Sequence, residues 1–250
     1  MSESEHPPQS PVAPATVPEW LSGACFDTPV LVTGLPRSGT SMVAGLLGLS
    51  GLWLGHTVPG GQENIRGFFE NVILRERVQK EILRQGRFDP LGVRQLPPPA
   101  WHPLIKSLRA VVGAALAAQQ YDGRQTWGFK DAKLTLTWRV WHEHFPRARW
   151  VVVRRPSDEI IASCLRTSFM KQHSGDPAFW RQFVADYLER IEALQREVGW
   201  SRVIAAGDVA AGRFEVLEQL VRDLGLSWQP HAMQAFIAPE HWHAPRQPAT

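Results

Sequence analysis

An α/β fold of three layers, a central parallel sheet flanked by helices, is what this sequence predicts, on three observations. Short β-branched apolar runs alternate along the chain with segments of helical period. The first of these runs, PVLVT at 29–33, opens directly into a small-residue loop and then a helix-forming stretch. A chain of 250 residues that is 44% hydrophobic can bury a substantial core, and no internal period marks a solenoid.

The elements follow in order. Residues 1–22 are rich in Pro, Ser and Glu and read as a disordered leader, with 23–250 as a single domain. Residues 29–33 read as a buried parallel strand. TSMVAGLLGLS at 40–50 reads as a helix that Gly51 can end. The Gly-rich connection from Gly51 to Gly67 has no periodicity and is long for a compact domain, so it is either mobile or functional. FFENVILRERVQKEILRQ at 68–85 has apolar positions three and four apart, and IKSLRAVVGAALAAQQ, after a Pro-rich turn at 97–99, is a second helix. TWGFK at 126–130 is a strand and TLTWRVWHEHF a helix; ARWVVV at 148–153 is a strand, followed by a helix with Pro156 near its first turn. Residues 178–198 are a long amphipathic helix, 201–206 a strand and 214–226 a helix. Right-handed crossovers put the C-terminal ends of all these strands on one edge of the sheet.

Composition excludes several classes. There is no run of about 20 apolar residues to span a membrane, and the N-terminus lacks the basic start and apolar centre of a secretory signal. Cys25 and Cys164 form neither a disulfide framework nor a metal-ligand pattern, so a reducing cytoplasm is the expected location and no metal is expected. A net charge of +3 and a pI near 9.1 come from scattered arginines. The eleven tryptophans are dispersed, with no basic-aromatic repeat, so core packing is the expected role and no nucleic-acid partner is expected.

The chemistry concentrates in Gly34-Leu-Pro36-Arg37-Ser38-Gly39-Thr40-Ser41, which follows a strand and starts a helix. Loop N–H groups and the positive helix end converge on an anion there, and Thr40 and Ser41 add hydroxyl donors. The spacing is that of a P-loop-type fold except that Thr40 stands where lysine is usual; Arg37 supplies the cation instead. The competing reading is a tight turn whose glycines serve geometry only. The later strand ARWVVV ends in Arg154-Arg155 rather than in an aspartate, which favours direct binding of a second phosphate over a metal.

The loop GLPRSGTS, the segment WGFKDAKLTL and the stretch RARWVVVRRPSDEIIAS, in that order, resemble the sulfotransferase superfamily that uses 3′-phosphoadenosine 5′-phosphosulfate (PAPS). The loop arginine makes the chain more similar to bacterial and tyrosylprotein sulfotransferases than to the cytosolic steroid type. The similarity runs from about Pro29 to the closing DLGL and FIAPEHWH. It implies that the loop holds the 5′-phosphosulfate, with Arg37 at the bridging and sulfuryl oxygens, and that Arg154 holds the 3′-phosphate. The helical serine of the family falls on Ala162 here, so Ser163, one residue later, is carried in its stead, with Arg155 and Arg166 as supplements.

In-line sulfuryl transfer also needs a base for the acceptor proton. Glu70, in RGFFEN, resembles a glutamate segment of bacterial relatives, and two flanking aromatics are expected to desolvate its carboxylate and raise its pKa. Glu63 and His56 are the other candidates, and complementing the helix dipole is the bland role of Glu70. Lys130, at a strand end in GFKDAK, is implied to stabilise the transferred group or leaving oxygen, and Asp131 either orients it or caps the next helix. The acceptor, a hydroxyl or amine of a small molecule, sugar or lipid, is unread. Its pocket is expected from Gly51–Gly67 and WHPLIKSLRAVVGAALAAQQY; AVVGAALAA is core by default and a homodimer face otherwise. A Mg-ATP phosphotransferase and a non-catalytic nucleotide-binding relative are the alternatives in other classes.

Overall fold

Parallel pairing of four strands organises the described residues of the computed structural model, which are 21, 23–61 and 64–237. The leader 1–22, apart from Leu21, lies outside them, as do Glu63 and most of the closing FIAPEHWH. Strands β1 (Val30–Gly34), β2 (Gly128–Lys130), β3 (Arg149–Arg154) and β4 (Ser201–Ala205) run in the order β2-β1-β3-β4. Their registers pair Val32 with Lys130, Gly34 with Val153 and Arg154 with Ala205, so the four C-terminal ends meet at one edge. The order reverses between β1 and β3, which is where open α/β sheets form their binding crevice.

The strands show why the fold has three layers. Side chains alternate across a sheet, and both faces of this one are apolar. Leu31, Phe129, Trp150 and Val152 face one core, completed by helices Leu134–His144, Ser157–Arg166 and Pro177–Glu197. Val30, Val32, Val151 and Val153 face the other, under helices Thr40–Leu49, Glu215–Asp223 and Pro230–Phe236. Trp127, Trp138, Trp141, Trp150 and Trp180 are buried in the first core, the packing role expected of tryptophan. Each large side chain removed from water there contributes about 1.5–3 kcal/mol.

Local chemistry sets the helix ends. In Pro177–Glu197, Asp176 caps by accepting from the Ala178 N–H at 2.8 Å, and Pro177 occupies the first position, where no donor is lost. Phe183, Tyr187, Ile191 and Leu194 then recur at three and four residues to face the core. The helix expected from Phe68 begins instead at Val72. Residues 68–71 are not helical because the Val58 N–H donates to the Glu70 carbonyl (2.8 Å) and the Phe68 N–H to the Val58 carbonyl (3.2 Å). Asn71 then caps the helix, accepting from the Leu74 N–H at 3.1 Å. The described part of the 51–67 connection is thus ordered, with Thr57 bridged antiparallel to Asn71. The helix itself is interrupted, running Val72–Leu74, through a π turn at Arg75–Gln79, into Lys80–Gln85. The second helix is trimmed to Leu108–Ala117, and the short helices Ala24–Asp27, Ser168–Lys171, Ala206–Ala210 and Pro230–Phe236 were not legible in the apolar pattern.

Gly34 is required by the approach of the two central strands: a Cβ there would lie 2.5 Å from the Val153 carbonyl oxygen. Replacement by alanine must push β1 and β3 apart, at roughly 1–3 kcal/mol, and is expected to lower the melting temperature by about 2–10 °C. Gly199→Ala, where a Cβ meets nothing within 4 Å, is the calorimetric control and is expected to leave the midpoint within about a degree or two.

Candidate active site

The loop Leu35–Gly39 leaves β1 and turns into helix Thr40–Leu49 at the sheet edge. Gly39, at φ 95°, makes the turn, and Ala206 packs against it so closely that an added Cβ would lie 2.8 Å from the Ala206 methyl. No side chain caps this helix, so its first-turn N–H groups face the cavity with the hydroxyls of Thr40 and Ser41. Ser38 is fully buried at the base of the loop, and its Oγ has no partner among the described residues. These are the donors an anion takes up.

The loop borders a cavity of about 830 Å³ at the strand switch point. Arg37, Arg75, Lys80, Lys130, Lys133, Arg155 and Arg166 line it, against only Glu70, Asp131 and Glu159 as acids. That excess suits a ligand of several negative charges. Among the described residues no group of His, Cys, Asp or Glu is arranged to hold a metal, and no helix is long and apolar enough to cross a membrane.

Two pairings define the geometry. On one side Arg37, held at φ 71°, donates from Nε to Ser163 Oγ at 3.1 Å, while Arg155 donates from Nη1 to the Arg37 carbonyl at 3.2 Å. The loop and the helix after β3 are therefore tied together. On the other side Lys130, at the end of β2, reaches Glu70 Oε1 at 2.9 Å and Ser41 Oγ at 3.1 Å. Arg75 reaches the second oxygen of Glu70 at 3.3 Å and is itself anchored on Glu76 at 2.8 Å. Asn71, bonded to the Leu54 carbonyl and to Gln119, fixes the backbone next to Glu70.

The expected rise in the Glu70 pKa is overturned. Burial does push the carboxyl up, but Lys130, Lys133 and Arg75 outweigh it and hold the group down at about 2. Of the two aromatics, Phe68 lines the cavity whereas Phe69, at φ 56°, turns away to pack on Phe236. Asp131 does not orient Lys130. Its Oδ1 accepts from the Lys133 backbone N–H (2.9 Å) and pairs with Lys133 Nζ (2.8 Å), capping the next turn and fixing Lys133. Burial pushes the Asp131 carboxyl up; it also works against the Lys133 ammonium, but Asp131 and Glu70 hold that group above its usual range.

Of the residues singled out in the sequence, Gly39 and Pro36, Arg37, Ser38, Thr40, Ser41, Glu70, Lys130 and Ser163 come together around the cavity, with Gly34 closing the loop at its base. His56 does not: it is exposed, away from the lining, with its backbone bonded to Gln119 and Val72. Nor does Arg154, which does not line the cavity and donates to Gln195 on the long helix at 2.6 Å. Arg155 occupies the cavity in its place, because side chains alternate at the strand end. Arg155 to Ser163 spans the same interval as Arg154 to Ala162. Arg75 and Lys133 were missed; only the repeated lysine of KDAK signals one of them in the sequence.

The fold is thus a three-layer parallel α/β arrangement with an uncapped loop-helix junction and a cationic cavity at its switch point. The profile of the Sulfotransferase family matches residues 29–230, and the chain belongs to that family. It is therefore an enzyme of the sulfuryl-transfer class. Among solved structures it is similar to the sulfotransferase STF1 of Mycobacterium tuberculosis H37Rv, with a TM-score of 0.54 and 16% identity over 84% of this chain and 71% of that one. The sulfotransferase domain of the Synechococcus PCC 7002 olefin synthase gives 0.53 and 16%, over 84% and 76% respectively. STF9 of Mycobacterium avium gives 0.50 and 14%, over 91% and 71%. At these identities the likeness is one of fold. No curated protein matches the chain.

The charge arrangement has a measurable signature. A carboxyl lowered in the folded state stabilises the protein above its ordinary value of 4.5 and loses that contribution as the pH falls toward about 2. Wild type is expected to exceed Glu70→Gln in unfolding free energy by on the order of 1–3 kcal/mol at neutral pH. Denaturant titrations should show that margin shrinking below pH 4.5.

Proposed function

We propose that the protein transfers the sulfuryl group of PAPS to a hydroxyl of an acceptor that enters the same cavity. The observation that carries the reading is the direct link between two anion sites. The loop Gly34–Ser41 and the Arg155–Ser163 pair are joined through Arg37 (3.1 and 3.2 Å), which suits a nucleotide bearing phosphates at both ends. The unpartnered Ser38 hydroxyl and the open first turn of helix Thr40–Leu49 fit the 5′-phosphosulfate. Arg155, Ser163 and Arg166 fit the 3′-phosphate.

In this reading Arg37 and Lys130 face the bridging and sulfuryl oxygens, where charge develops as the donor bond breaks. The acceptor oxygen forms its bond to sulfur as the sulfur–oxygen bond to the 5′-phosphate breaks, and the electron pair leaves on the phosphate oxygen. Glu70 takes the acceptor proton. With its pKa at about 2 beside Lys130, Glu70 is a weak base in the resting arrangement. Drawing Lys130 onto the donor removes its tightest counter-charge and raises its basicity. Arg75 still holds the second oxygen, so the carboxylate keeps its direction.

A thermal-shift panel of PAP (the desulfated product of PAPS), PAPS, ATP and ADP, each with and without Mg²⁺, tests the donor. PAP without metal at about 100 times its Kd is expected to add about 2.7 kcal/mol, a rise on the order of 5–10 °C. The rise should be lost in Arg37→Ala and Arg155→Ala and kept in Arg154→Ala; loss in Arg154→Ala with retention in Arg155→Ala would return the 3′-phosphate to Arg154. Stabilisation by ATP with Mg²⁺ alone would sink the PAPS reading in favour of a phosphotransferase. For the base, Glu70→Gln is expected to keep the PAP shift while kcat falls about 10²–10⁴-fold. An unchanged kcat would remove Glu70 from the chemistry.

A further inference from the structure

We infer that the acceptor is a hydroxyl carried on an apolar body, such as a long-chain alcohol or a fused-ring phenol, and not a sugar. This rests on the sulfuryl-transfer reading of the cavity, since the acceptor must then meet the part of the wall that the donor leaves uncovered. The cavity carries an apolar face from three separate segments, beside polar lining residues such as Asn64, Gln172 and His173. Ile65 and Phe68 precede Glu70, Leu91 and Val93 come from the loop after the interrupted helix, and Phe169 belongs to the short helix beyond Ser163. At 830 Å³ the cavity lies toward the upper end of the range for one small ligand, leaving room for a second beside the nucleotide.

The rim carries large apolar residues in the open. Ile65, Leu91 and Phe169 are 53%, 52% and 39% exposed although large and apolar. The loop that presents Leu91 is fixed from beneath. One carboxylate, that of Asp89, accepts the backbone N–H groups of Leu91 (2.8 Å), Val93 (3.0 Å) and Arg94 (2.9 Å). The buried Tyr187 hydroxyl donates to the Gly92 carbonyl at 2.7 Å. Leu91 is thus pinned outward at the mouth while Val93, 5% exposed, forms the inner wall. A polyol lying against the face formed by Phe68, Leu91 and Val93 would leave hydroxyls without partners there, whereas an aliphatic or aromatic body gains from the same contact. The reactive hydroxyl alone needs polar partners, and Glu70 with Lys130 supplies them at the inner end.

The test follows sulfuryl transfer from radiolabelled PAPS by the full chain to 1-dodecanol, 2-naphthol and trehalose, alongside the PAP thermal shift. Transfer to at least one apolar alcohol and not to trehalose is expected. Leu91→Asp and Ile65→Asp should lower kcat/KM for that alcohol by about tenfold or more and leave the PAP shift unchanged. Transfer to trehalose, an apolar-alcohol rate indifferent to both substitutions, or no transfer to either alcohol by a protein that still binds PAP overturns the acceptor class and spares the donor. Absence of a PAP shift in wild type instead fails the donor reading. Fluorescence titration with 2-naphthol then decides the acceptor class by itself: saturable binding lost in Leu91→Asp upholds it, and its absence overturns it.

Discussion

The close pairing of β1 with β3 is the constraint on which the rest depends. With Gly34 set directly against Val153, the strands come together without a side chain between their ends. The loop after β1 and the helix after β3 then start from neighbouring points and diverge around one space. A side chain at Gly34 would press on the Val153 carbonyl and disturb the approach of the loop to Ser163, where Arg37 donates at 3.1 Å. The two-sided apolar character of Val30–Val32 and Trp150–Val153 holds this pairing between two cores.

Charge is the second level of organisation. A cavity with so many cations is unfavourable while empty, and the resting arrangement spreads the repulsion by threading acids among them. Glu70 lies between Lys130 and Arg75, Glu76 between Arg75 and Lys80, and Asp131 beside Lys133. The same acid that quiets the lysine is the proposed base, so binding a polyanion and activating the acceptor become one rearrangement of partners.

Much of this was legible in the sequence because it rests on local chemistry. The strand-loop-helix at 29–50, the apolar strands and the long helix at 177–197 follow from periodicity, small residues and caps read over a few positions. What escaped depends on distant partners. Arg154 and Arg155 are indistinguishable in a string; their roles separate only because the strand's alternation sends one to Gln195 and the other to the loop. The direction of the Glu70 shift is not legible in the sequence because the aromatics beside it are neighbours in the chain, whereas Lys130, the foremost of the cations that lower it, is brought in by the sheet. The start of the next helix moved to Val72 because the Val58 backbone pairs residues 68–70 before helical bonds can form.

The π turn at Arg75–Gln79 carries a consequence of its own. At its far end the Gln79 amide donates to the Lys133 carbonyl and to Thr137, each at 2.8 Å, and accepts from Trp141 Nε1 at 3.0 Å. At its near end Arg75 grips Glu70. The turn thus sets the rotational phase between the edge that holds Lys133 and the edge that holds the carboxylate. Each α-helical residue advances about 100°, so removing one residue from this turn would restore regular winding and swing Arg75 out of reach of Glu70. Chain length at this point, as much as side-chain identity, is what aligns the two halves of the cavity.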